Sequence, residues 1–259
     1  MKPAWRLALG LALAAGAAPA AGFDAPLYGE LLARPTREVA DAAGVRVDYR
    51  GVAADPAWPR LLEGLAASDP AQLPGHAERL ALWINAYNAL AIDLVARDPD
   101  VASIRDLGSW LRPVWGREAG RVGGKPRSLD EIEHQILRPL GEPRIHAAIV
   151  CASVSCPPLR REPYEAARLD AQLDDQMRRW LASPENGLRI DAAARSVALS
   201  PIFDWFEEDF AAAGGALAFA ARYAPEAARA WLAAHPGARV RWLAYDWSLN
   251  SLAAPDARR

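Results

Sequence analysis

Residues 79–97 read RLALWINAYNALAIDLVAR, and their apolar positions recur at the 3.6-residue period of an α-helix. Leu80, Trp83, Tyr87, Leu90 and Leu94 form one stripe, flanked by Ile84, Ala91 and Val95. The opposite side carries Ala81, Leu82, Ala89 and Ile92, so no face is left for water. A helix apolar nearly all round is enclosed by protein or lipid. Arg79, Asp93 and Arg97 argue against a membrane span, which leaves a buried central helix. Asn85 and Asn88 then enter the core one turn apart, where an unpaired amide costs about 1–3 kcal/mol. Both need fixed partners: the backbone of neighbouring loops, or groups bordering a functional pocket.

Shorter patterns surround this helix. Residues 27–40, 56–67, 164–182, 217–223 and 225–235 have helical periodicity, while 45–49, 187–190, 196–199 and 240–243 read as strands. Residues 104–115 are a short helix or irregular, and the glycine-rich stretch 116–127 is a turn or hairpin. Ser128-Leu129-Asp130-Glu131 is a capping box, so a helix starts there with Leu129, Ile132 and Ile136 inward. Glu133 falls inside that apolar arc and His134 at its edge. A buried carboxylate needs a cation or several donors, and Arg138 and Arg144 are the nearest candidates. Residues 145–150, apolar on both faces and containing His146, read as a buried strand that leaves through the loop 151–158. Pro201 opens a helix with Phe203, Phe206 and Phe210 on one side, which turns Trp205, one turn before Asp209, toward a pocket.

The expected architecture is therefore α+β: a helix-rich single domain over 22–252, with a small, largely antiparallel sheet packed on the buried central helix. The chain of 259 residues is 52% hydrophobic, enough for one sizeable core, and its net charge of -2 gives no nucleic-acid surface. Lys2 and Arg6 precede a run of Leu, Ala and Gly too short to anchor in a membrane, and Ala18-Pro19-Ala20 offers small residues for a signal peptidase. These features imply a leader over 1–21 cleaved near Ala20 or Ala21 and a soluble periplasmic or secreted protein. Residues 253–259 are expected to fray.

Cys151 and Cys156 are the only cysteines, and in an oxidising compartment they can form a disulfide if the chain turns back between them. Without a second cysteine pair or a His-x-x-x-His, they do not make a metal site. A histidine and two cysteines near the end of one buried segment equally fit a nucleophile and its base. His146 would activate Cys156 or Cys151, oriented by Asn85, Asn88 or Glu133. Tyr87, Asn88, Trp205 and Asp209 are candidate ligand contacts. Trp83, Trp110, Trp115, Trp205 and Trp247 supply either stacking surfaces or core volume. Two functions follow. One is a Cys/His-dependent hydrolase or transferase; the other is a non-catalytic periplasmic binding or scaffolding domain stapled by a Cys151–Cys156 disulfide. No cofactor is implied, and the ligand is a small molecule, peptide or glycan.

The stretches LALWINAYNALAIDLV, SLDEIEHQILRP, RIHAAIVCASVSCPPLRREPY, LSPIFDWFEEDF and YDWSLN, in that order, resemble the family called domain of unknown function 547. The resemblance runs across about 45–250. It implies a common fold and no particular activity, because the family is named for lacking one.

Overall fold

Leu80, Trp83, Tyr87, Leu90 and Leu94 are all buried, the most exposed of them at 9%. The computed structural model describes residues 23–252; the expected leader and frayed tail lie outside the described residues. The organising helix runs His76–Ala96, and every residue from Leu80 to Ala96 is buried. Its buried Asp93 accepts from Trp58 Nε1 at 3.0 Å and pairs with Arg97.

The elements in chain order are α1 (Ala25–Ala33), β1 (Thr36–Glu38), β2 (Val45–Val47), α2 (Tyr49–Ala54), α3 (Trp58–Ala67), the central α4 (His76–Ala96), β3 (Glu118–Val122) and β4 (Lys125–Ser128). A π-helix over Glu131–Leu137 follows, then α5 (Ile145–Ala148), α6 (Leu169–Leu181), β5 (Leu188–Asp191), β6 (Ser196–Leu199), α7 (Ile202–Trp205), α8 (Glu207–Phe210), α9 (Ala216–Tyr223), α10 (Glu226–Ala234) and β7 (Arg239–Trp242).

The strands make three small sheets: the antiparallel pairs β1–β2 and β3–β4, and a three-stranded sheet in which β6 pairs antiparallel with β5 and parallel with β7. The β3–β4 hairpin lies directly on α4. The two approach closely at Gly120, where an added Cβ would press on the end of the Leu90 side chain. This is the expected α+β, helix-rich architecture. The core has two lobes, one around α4 and one built on Trp180, Phe203, Phe210 and Phe219.

Three local expectations are corrected. Residues 145–150 are not a strand: Ile145–Ala148 is one helical turn, Ile149 after it is extended, and Val150 belongs to no strand. All six are buried, so their two-sided apolarity reports enclosure and not a sheet interior. In place of a neighbouring strand, Asn88 bonds this segment twice, donating to the Ala148 carbonyl at 2.9 Å and accepting from the Val150 N–H at 2.8 Å. The first helix stops at Ala33, before Pro35, and Thr36–Glu38 turns into β1. The Phe203–Phe210 helix is broken at Phe206 into α7 and α8.

Candidate functional site

The π-helix begins where the sequence places a cap: the Ser128 hydroxyl accepts from the Glu131 N–H at 3.0 Å. The reciprocal bond of a capping box is absent, because the Glu131 carboxylate pairs with Arg127 instead. The wider turn of a π-helix brings Asp130, Glu133 and His134 to one side. That side borders a cavity of about 210 Å³ also lined by His146, Cys151, Cys156, Tyr87 and a set of aromatic rings.

His146 is buried at the start of α5. Its Nε2 lies 2.7 Å from Asp209 Oδ2, and the Phe206 ring stacks on the imidazole at 4.1 Å. Arg138 grips the same Asp209 through two bonds of 2.7 and 2.9 Å. Burial alone would raise the Asp209 carboxyl, but hydrogen bonds from His146 and Arg138 outweigh it and hold the group well below the usual carboxylate range. Asp209 is therefore an acceptor, so Nε2 carries the imidazole proton and Nδ1 keeps its lone pair. Burial lowers the His146 pKa from 6.5 against the pull of Asp209, which favours the neutral ring.

Nδ1 faces Glu133, whose Oε1 is 4.0 Å away, longer than a direct hydrogen bond. The Glu133 side chain is only 14% exposed. Its other oxygen accepts from the Tyr87 hydroxyl at 3.3 Å. Burial raises the Glu133 pKa to about 7, more than the Tyr87 bond and the Arg138 charge lower it.

Cys151 and Cys156 are joined in a disulfide, with Cα atoms 6.3 Å apart, so neither sulfur is a free thiol here. The bridge forms part of the cavity wall. The Tyr245 hydroxyl sits 3.3 and 3.4 Å from the two sulfurs and 3.0 Å from Ser153 Oγ. The disulfide loop is held against the C-terminal segment by backbone bonds from Val154 to Ser248 and from Asn250 to Ala152. Those bonds carry Tyr245 and Trp247 into the cavity wall.

The remaining expected residues divide clearly. Asn85 does not reach the cavity: it exchanges bonds of 2.8 and 2.9 Å with the backbone of Tyr164. Asn88 likewise serves backbone, at the segment that follows His146. Trp205 lines the cavity and is 47% exposed, whereas Asp209 lies behind His146 as its partner. Of the five tryptophans, Trp115, Trp205 and Trp247 meet at the cavity, Trp83 is in the core, and Trp110 is 89% exposed elsewhere. Asp130, Tyr245 and the stacking role of Phe206 are not expected from the sequence pattern. Their only signals are the turn between Asp130 and His134 and the clustered aromatics of YDWSLN. Among the described residues, no three His, Cys, Asp or Glu side chains converge as a metal-ligand set.

The model of the family described as "Protein of unknown function, DUF547" matches residues 70–181. Residues 70–181 are thus similar to that family. The matched segment contributes α4, the π-helix, His146 and both cysteines, whereas Asp209, Trp205, Tyr245 and Trp247 lie beyond it. No curated protein and no solved structure matches the chain.

Proposed function

We propose that the cavity is the active site of a hydrolase or transferase that works by proton transfer. The observation carrying this reading is that two facing groups are displaced in opposite directions: Glu133 is raised to about 7 while His146 is lowered. At neutral pH the pair then holds one available lone pair, on Nδ1, and one available proton, on the Glu133 carboxyl. A water or an acceptor hydroxyl bound between them loses its proton to Nδ1 as its oxygen attacks. Glu133 gives its proton to the leaving group. Asp209, fixed by Arg138, is a positioning residue that holds the imidazole tautomer and balances the imidazolium.

Nucleophilic attack by Cys151 or Cys156 requires prior reduction of their disulfide; the water route does not. The bridge favours, as a second reading, a non-catalytic domain that uses the same cavity only to bind. Residence in the periplasm or outside the cell is part of the proposal, supported by the charged start, the Leu/Ala run and a disulfide suited to an oxidising compartment. N-terminal sequencing of the exported chain is expected to begin near Ala21 or Gly22.

The enzyme reading is tested with a panel of chromogenic esters, amides and glycosides, comparing the parent with His146→Ala and Glu133→Gln. Any turnover is expected to vanish in the first variant and to fall sharply in the second. Turnover that survives His146→Ala would remove the reading, and a folded parent inert on every class would favour binding alone.

A further inference from the structure

The wall facing the acid–base pair is aromatic. Trp205 and Trp247 stack at 5.7 Å with 13° between their planes, and the Tyr245 ring packs 4.9 Å from the first and 4.4 Å from the second. Trp115 stands 6.3 Å from Trp247. No lysine or arginine is among the fourteen residues that line the cavity, but two carboxylates are, Asp130 and Glu133. Behind the wall, the Arg138 guanidinium is taken up by Asp209.

We infer that this cavity receives a compact organic cation, an alkylammonium or trimethylammonium group, held against the Trp205–Tyr245–Trp247 cluster with Asp130 supplying the charge. The inference names the ligand class of the cavity used in the acid–base reading, but it needs no chemistry to occur there. Ring faces carry negative quadrupole charge and attract cations that have shed part of their water. The chain already uses this attraction on the same ring: Arg105 holds its guanidinium 5.1 Å from the Trp247 centroid.

Other ligand classes fit less well. A sugar also stacks on tryptophan, but its hydroxyls need donors as well as acceptors. The two tyrosine hydroxyls of the wall are already engaged, Tyr87 with Glu133 and Tyr245 with Ser153 and the sulfurs. Above its titration near 7, Glu133 only accepts. An anionic ligand would meet Asp130 and Glu133 with no lining cation to offset them.

The test uses the full oxidised chain and three probes at about pH 8, above the Glu133 titration. They are choline, its uncharged carbon isostere 3,3-dimethylbutan-1-ol, and methyl β-glucoside, each titrated by calorimetry and tryptophan fluorescence. Choline is expected to bind saturably and at least about tenfold more tightly than the alcohol, because only the charge distinguishes them. Trp205→Leu and Asp130→Asn are each expected to weaken choline about fivefold or more at an unchanged melting temperature. Trp205 is half exposed, which favours a folded variant; should it unfold, Asp130→Asn decides alone. The inference is overturned if the alcohol binds as tightly as choline, if only the glucoside saturates, if no probe binds, or if choline affinity is unchanged in the folded variants. Binding of choline by a chain inert on all chromogenic substrates would keep the cation site and discard the enzyme reading.

Discussion

Glu133 binds its proton more tightly in the folded chain, at about 7, than at its ordinary value of 4.5. Between those two values the folded protein holds a proton that the unfolded chain has released. The contribution of this group to stability is therefore complete below 4.5 and is lost as pH rises through 7, with a total of about 3 kcal/mol. Glu133→Gln removes the titration. Urea unfolding is expected to show the variant gaining up to about 3 kcal/mol relative to the parent between about pH 4 and about pH 8. A constant difference across that range would mean the carboxyl is not desolvated. Catalysis needs His146 neutral and Glu133 protonated, so any activity should rise through a value below 6.5 and fall near 7. Glu133→Gln should abolish the alkaline limb as well as slow turnover by about a hundredfold. Glu133 is legible in the sequence, because a carboxylate in an apolar arc needs an explanation at any fold. Its partners are not. Asp209 lies 63 residues from His146 in the chain, and by binding it Arg138 is drawn away from the carboxylate it was expected to neutralise.

The central helix is legible because enclosure by protein leaves a residue pattern that does not depend on what encloses it. The short elements are not, because their conformation is imposed by neighbours. Residues 145–150 show this: six buried positions are equally apolar as a strand or as a turn of helix running into extended chain. The Asn88 amide settles the outcome by bonding Ala148 and Val150 as a second strand would have done. The same limit hides the π-helix, whose inserted residue changes which side chains share a face without altering the Leu129–Ile132 core. Asn88→Ala strands one buried carbonyl and one buried N–H at about 1–3 kcal/mol each. The variant is expected to lose about 3 kcal/mol in urea unfolding, and amide exchange should quicken at Val150. Slow exchange at Val150 in a destabilised variant would show that this segment holds itself.

At the scale of the whole molecule, the cavity is a joint between two parts of the chain. The segment matched by the family model supplies Glu133, His146 and the disulfide, and residues 202–209 with 245–247 supply Asp209 and much of the aromatic wall. Both sequence readings met at the two cysteines, since a thiol nucleophile and a structural bridge use the same atoms and give the same spacing. The fold brings the two sulfurs together in a bridge by turning the loop back on itself against Ser248 and Asn250. The bridge closes a loop of six residues, for which chain entropy gives about 2 kcal/mol of stabilisation. A Cys151→Ser/Cys156→Ser double variant should therefore unfold at lower urea by that amount, and reducing the parent should produce the same shift. The two readings diverge on function. If His146 activates a bound water, the double variant keeps the turnover and bell-shaped pH profile of the parent, because the Nδ1–Glu133 pair is untouched. If a cysteine is the nucleophile, the oxidised parent is inactive, reduction switches it on, and the double variant stays inert at every pH. Turnover measured in the oxidised parent, the reduced parent and the double variant assigns the oxygen that attacks to water, or replaces it with sulfur.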